Sequence, residues 1–276
     1  MMHLLNDNVA LIDHIMGTLY ERSRHQDLYS QDTFNVVTAS GVLFLLGQRQ
    51  NQHSGEGEPC LILNKRSIKV KQPGDLCCPG GRVAPRLDGL LAKLFALPTF
   101  ALGRWPYWSP WKAQRLSEAR LLALLWATSL REGLEEMRLN PFRVRFLGPL
   151  PSYSLSMFNR KIYPLVAWIP SQKRFFPNWE VGKIVYVPLR ELLNPSNYAC
   201  YRLHLNLPPH SRPPEMPRDF PCFRLKTDMN SELLWGATYY ITTVFLEYVF
   251  KFSPPAIDDL PVIAGTLDET YLTGQP

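Results

Sequence analysis

A chain of 276 residues, 46% hydrophobic and 20% charged, has room for one large domain or two small ones and the composition of an ordinary globular protein. Its net charge of +6 suits an anionic small molecule, and the absence of any long Lys/Arg block argues against a dedicated nucleic-acid binder. Five cysteines without a C-x-x-C pair read as reduced, buried thiols and not as a disulfide framework.

The N-terminal stretch carries Asn6, Asp7, Asp13 and His14 inside its apolar run. That pattern predicts an amphipathic helix, neither a signal peptide nor a spanning segment. Residues 1–34 are therefore expected to form an N-terminal helical extension of a cytoplasmic protein. Two aliphatic and β-branched stretches, FNVVTASGVLFLLGQ and PCLILNKRSIKV, predict strands joined through a hairpin-like loop, RQNQHSGEGE. KQPGDLCCPGGRVAP reads as a loop holding one short strand. The run LSEARLLALLWATSLREGLEEMRL has helical composition and no internal Pro. Further strands are expected in VRFLGPL, KIYPLVAWIP and KIVYVPLREL. NLPPHSRPPEMPRDFP is too Pro-rich for anything but loop, and SELLWGATYYITTVFLEYVF predicts the last helix. Residues 254–276 are expected to be an irregular tail. The order of elements predicts a single mixed α/β domain, 1–276.

Three carboxylates crowd the end of the long helix in REGLEEMRLNP. With Glu132 at the origin of a helical wheel, Glu135 lies at about 300° and Glu136 at about 40°, whereas Leu130 and Leu134 fall near 160° and 200°. The acids share the face opposite the apolar stripe. Two readings stand: a solvated acidic face, or a set of ligands for something positive. The upstream CPGGRV offers a Gly-Gly turn whose carbonyls approach an ion closely because no Cβ intervenes. Carboxylates and a backbone carbonyl are the oxygen ligands a hard cation such as Mg²⁺ takes.

Together these pieces resemble the Nudix box, Gly-x5-Glu-x7-Arg-Glu-U-x-Glu-Glu-x-Gly-U, with U aliphatic. Gly81 stands for the leading Gly, followed by Arg131, Glu132, Glu135, Glu136 and Leu139. LILNKRSIKVKQPGDLCCPGG, FLGPLPSYSLSMFNRKIYPLVAWI, NWEVGKIVYVPLRELLNPSNY and LLWGAT are similar, in order, to segments of the coenzyme A pyrophosphatase-like branch. The resemblance runs over about residues 35–250. It implies an α/β/α sandwich with a mixed sheet and Mg²⁺- or Mn²⁺-dependent hydrolysis of a pyrophosphate bond. The implied substrate is a nucleoside-diphosphate-linked compound, coenzyme A or an acyl derivative. It also implies that Glu132 is the catalytic acid-base group oriented by Arg131, and that Glu135, Glu136, Glu132 and Gly81 hold the metal. Arg66 and Gly80 are then expected to contact the substrate. The alternative from another class is a non-catalytic ligand-binding or scaffold protein on the same fold.

The departures from the pattern are specific. Leu87 stands where the first box Glu belongs, with Asp88 the nearest replacement. Residues 89–117 are an insertion within the box. Gly133 replaces an aliphatic residue, at a cost of about 1 kcal/mol relative to Ala in a helix. Arg138 replaces the terminal Gly, so a left-handed cap there is strained and Asn140-Pro141 is expected to stop the helix instead. Within the insertion, WPYWSPW places Trp105, Trp108 and Trp111 at three-residue spacing. A packed clip, a homodimer contact and an active-site lid all remain open for it, and a membrane-interface belt is least favoured because no anchor or long apolar run accompanies it. Arg66 is either a phosphate contact or an ordinary surface residue, and Glu180 either an additional ligand or base or a surface acid. No membrane partner is expected.

Overall fold

The computed structural model describes residues 2–25, 34–50, 57–155, 159–170, 172, 174–206, 219–226, 231–268 and 271. Asp7 starts the first helix, its carboxylate accepting from the N–H groups of Val9 at 2.9 Å and Ala10 at 3.1 Å. The helix that follows, α1 (Asn8–Arg24), buries Leu11, Ile12, Ile15, Met16 and Leu19. This is the amphipathic stripe expected of it.

The central strand is β1 (Ala39–Gln50), antiparallel to β2 (Gly57–Arg66) and parallel to β7 (Arg160–Ile169). Residues from Leu43 to Leu46 are fully buried, as a strand covered on both faces requires. Short strands β3 (Leu76–Cys77) and β4 (Gly80–Arg82) pair with β2 and β1. β5 (Arg145–Pro149) and β6 (Tyr153–Leu155) pair with β7, and β8 (Val181–Pro188) pairs with β2. These eight strands form one mixed sheet.

Alternation along β1 decides which helix covers which face. Gly41 lies under α4 (Leu116–Met137), where a Cβ would meet the Leu125 carbonyl oxygen at 2.6 Å. Phe44 points the other way and meets Phe245 of α6 (Gly236–Phe250), with ring centroids 4.6 Å apart. The architecture is thus an α/β/α sandwich.

A second, four-stranded sheet has the order β11 (Ser231–Trp235), β10 (Asp219–Lys226), β9 (Tyr198–Asn206), β12 (Val262–Asp268). Three expectations are corrected here. SELLW is strand and not the start of the last helix, because its side chains alternate between buried and open along the edge of β10. The tail is not irregular throughout, since β12 adds in parallel to β9. LREL at the end of the eighth strand turns into a short helix, α5 (Leu189–Leu192). Most of the Pro-rich stretch lies outside the described residues.

The segment between β4 and α4 contains α2 (Pro85–Phe95) and α3 (Trp108–Gln114). Trp105, Trp108 and Trp111 are all buried. Tyr107 stacks on Tyr20 of α1 at 3.9 Å between centroids, and Trp105 stands edge-on to Phe146 of β5 at 5.0 Å. The segment clips α1 to the flank of the sheet at the N-terminal end of α4. Trp111 lies under Arg115 at the start of α4, and Glu132 is a helical rise of about 24 Å further on at 1.5 Å per residue. This geometry favours the clip over the lid. Among the described residues no helix is long and apolar enough to cross a membrane.

Candidate active site

The Gly-Gly turn is placed by pairing: β4 runs antiparallel to β1 with Gly80 opposite Val42 and Gly81 opposite Gly41. Gly80 has φ of 149°, a conformation L side chains rarely adopt, and a Cβ there would collide with β1. At Gly81 the missing Cβ leaves the space that the Glu132 carboxylate occupies. These two glycines let the turn sit directly against the acidic end of α4.

That end of α4 has its own reasons for its shape. Gly133 is needed because a Cβ would meet Leu139 at 2.9 Å and Leu43 at 3.3 Å. The helix stops at Met137 with Arg138 in the left-handed region, φ 55° and ψ 37°. Its N–H donates to Leu134 O at 3.0 Å, and Leu139 N–H donates to Gly133 O at 3.1 Å. The stop expected from Asn140-Pro141 is therefore supplied earlier, by a strained cap that these two bonds and buried Leu139 hold in place.

The acids divide between two sides. Glu136 accepts from Asn64 Nδ2 at 2.9 Å and from Gly80 N–H at 3.2 Å. Burial, then the charge of Glu132, pushes its carboxyl up to about 8, with Glu180 adding to the rise and the Gly80 hydrogen bond and Arg66 opposing it. Glu132 is also held above the ordinary carboxylate range, first by burial, against the pull of Arg131. Glu135 points outward, its side chain 54% exposed, and pairs with Arg131 at 3.3 Å. Glu132 and Glu136 thus converge over the turn, and Glu135 lies at the rim.

Arg131 is gripped from three directions. Its Nε donates to Asp88 Oδ1 at 2.7 Å, and one terminal nitrogen lies 3.0 Å from Glu132 Oε1. Its other terminal nitrogen donates to the Arg82 carbonyl at 2.9 Å. Burial would lower its pKa, but the hydrogen bond to Asp88 and the charge of Glu132 more than offset that, so the guanidinium stays protonated. Asp88 itself is fully buried and also accepts from Ala84 N–H and Thr128 Oγ1, each at 2.7 Å. It contacts Arg131 and not the space between Glu132 and Glu136. Asp88 has the position of a brace.

The remaining expected residues surround this pair. The stretch before β8 is pinned to the end of α4, Asn178 N–H donating to Glu136 O at 2.8 Å. That brings Glu180 within electrostatic reach of Glu136. Arg66 lies at the end of β2, its Nε donating to Lys71 O at 2.7 Å. Two further arginines were not legible as site residues. Arg160, whose pKa is lowered by burial and then by the charges of Arg82 and Arg66, marks a basic flank made of all three. No ion-pair partner of Arg82 or Arg160 is found among the described residues. Asn64 was also missed; its Oδ1 is a buried acceptor without a partner. The one available signal was a polar residue interrupting the apolar run LILNKR.

Among the described residues no three His, Cys, Asp or Glu side chains close into a metal cage. A hexacoordinate Mg²⁺ asks for less: one or two carboxylates, with carbonyl and water oxygens completing the shell. Glu132 and Glu136, each with its proton affinity raised, beside a turn stripped of Cβ atoms, fit that donor set. All five cysteines are free thiols, and burial pushes Cys77 up to about 12, so thiolate chemistry has no footing beside the acids.

No protein-family model matches the sequence, and no curated protein matches it significantly. Several solved structures are loosely similar. A crystal structure of a C. elegans Ap4A hydrolase binary complex shares 13% identity over 57% of this chain and 84% of its own, at a TM-score of 0.36. A Nudix hydrolase from Nitrosomonas europaea shares 12% identity over 86% of this chain and 81% of its own, at a TM-score of 0.39. The Nudix domain of Shewanella oneidensis NrtR, complexed with ADP ribose, shares 15% identity over 63% and 85%, at 0.33. Likeness this distant assigns neither family nor activity.

Proposed function

We propose that this protein is a Nudix-type, Mg²⁺- or Mn²⁺-dependent pyrophosphohydrolase acting on a nucleoside-diphosphate-linked compound, coenzyme A or an acyl derivative foremost. The observation that carries the reading is the convergence of Glu132 and Glu136 on the Gly80–Gly81 turn, with Arg66, Arg82 and Arg160 on one flank. Acids that hold a cation beside arginines that hold an anion are the complement of a metal-bound diphosphate.

In this proposal Glu132, Glu136 and the Gly81 carbonyl hold the divalent ion, with Glu135 at the rim and Glu180 as a further acid within reach. The ion, when bound, supplies charge neutralisation at the diphosphate and acidifies a water. Arg131, braced by Asp88, fixes the Glu132 carboxylate at 3.0 Å so that it takes the proton of the attacking water. Arg66, Arg82 and Arg160 bind the phosphate oxygens, and the Gly80 backbone lies open to the substrate. Water attacks one phosphorus, the bridging P–O bond breaks, and two phosphate monoesters leave.

The test is a screen of purified protein with Mg²⁺ or Mn²⁺ against coenzyme A, ADP-ribose, NADH and dinucleoside polyphosphates. The proposal expects metal-dependent release of two monoesters from at least one of them, coenzyme A first. Tight binding of an ADP-linked ligand with no turnover by any metal would replace it with the non-catalytic reading.

A further inference from the structure

The helix α2 faces two ways. Its inner side contributes Asp88, Ala92 and Phe95 to the core beside α4. Its outer side carries Leu87, Leu90, Leu94 and the following Leu97, which are 49%, 67%, 38% and 48% exposed. At about 100° per residue Leu87, Leu90 and Leu94 fall within an arc of roughly 60°, a leucine ridge that exposed Leu97 follows just past the helix end. Arg86 and Lys93, both exposed, lie together along one border of that arc, and the helix's one carboxylate is buried. Scattered exposed leucines are ordinary, but three aligned on one short helix are not.

We propose that this leucine ridge docks on an anionic lipid surface. A cationic border beside an apolar arc is the signature of a helix that lies in a membrane interface, leucines in the acyl boundary and basic groups at the phosphates. A second copy of the chain fits worse. A second copy meeting the same face would set Arg86 and Lys93 against their own counterparts. The ridge also offers only a few hundred Å² of apolar surface, against the roughly 800 Å² per partner that a specific dimer buries. The expectation of no membrane partner rested on the absence of an anchor or a long apolar run beside the tryptophans, and the α2 ridge needs neither.

The experiment is co-sedimentation of the full chain, without substrate, with vesicles of phosphatidylcholine alone and of phosphatidylcholine containing phosphatidylserine. Binding is expected to the anionic vesicles, weakened by NaCl and by roughly tenfold or more in Arg86→Glu/Lys93→Glu. Leu90→Glu/Leu94→Glu should abolish it, with circular dichroism and melting temperature unchanged because both positions are solvent-facing. No sedimentation with anionic vesicles, or equal sedimentation with the neutral ones, overturns the proposal. So does a dimer in light scattering that Leu90→Glu/Leu94→Glu dissolves, which would give the ridge to a second copy. None of these outcomes depends on hydrolytic activity.

Discussion

Asp88 and Arg131 are joined at 2.7 Å, a buried carboxylate on α2 holding the guanidinium that in turn holds Glu132 at 3.0 Å. The long segment between the Gly-Gly turn and α4 therefore keeps its two ends in contact. The chain leaves the Gly-Gly turn, supplies Asp88 at once, and returns along α4 to the residue that Asp88 braces. One side chain, offset by a single position from Leu87, carries the link.

Asp88→Asn keeps the shape and removes the charge, leaving Arg131 short of its strongest partner. Breaking a buried pair by removing one partner costs about 3–5 kcal/mol. Urea unfolding of the variant should show a loss in that range, and kcat should fall with Glu132 no longer fixed. Wild-type stability in the variant would mean that the pair adds nothing beyond its geometry.

Gly81→Ala puts a methyl group where the Glu132 carboxylate lies. The β1–β4 pairing is made by backbone, so the fold should persist. Apparent affinity for Mg²⁺, read by isothermal titration or by the metal dependence of rate, should drop about 10–100-fold. An unchanged metal titration would show that Glu132 has no need of that position.

The sheet and the acidic helix were legible because they depend on local pattern. The aliphatic runs around Leu43 and Leu61 can only be buried strands, and a 3.6-residue period separates Glu132 and Glu136 from Leu130. What was not legible depends on distant partners. Asn64 meets Glu136 across 72 positions, and nothing near either residue announces the other. Ser231–Trp235 reads as helix because an apolar helix follows it without a break; only its pairing with β10 makes it strand. The same holds for β12, whose partner β9 lies far upstream. Arg138 was recognised as a poor left-handed cap, yet the backbone adopts that cap because tertiary packing of Leu139 outweighs the local cost.

Trp111→Ala should cost about 3–5 kcal/mol in urea unfolding, as truncation of a buried aromatic does. The residue is 2% exposed and packs with Trp105 and Tyr20. Because this cluster lies at the far end of α4, the Michaelis constant should stay unchanged under native conditions. A shifted Michaelis constant with full stability would restore the lid.

Burial of Glu136 has a pH signature. Its folded carboxyl titrates at about 8, above its ordinary 4.5, so the folded state binds the extra proton between those values. Stability from this group is present below pH 4.5 and declines as pH rises through 8. Glu136→Gln keeps an oxygen for the Asn64 and Gly80 donors and removes the titration. Melting temperature of the metal-free variant should match wild type near pH 4.5 and exceed it at pH 8, by about 2–4 °C for each kcal/mol gained. Parallel pH profiles for the two proteins would refute the burial.

The central claim, that Glu136 and Glu132 hold a metal for diphosphate hydrolysis, meets its most direct test in the same variant. The measurement is product analysis of coenzyme A, ADP-ribose, NADH and dinucleoside polyphosphates incubated with Mg²⁺ or Mn²⁺ and either wild-type protein or Glu136→Gln. The account predicts two phosphate monoesters from at least one substrate with wild type, none without metal, and none with the folded variant. Full metal-dependent turnover by Glu136→Gln, or no turnover of any diphosphate by wild type, would contradict it.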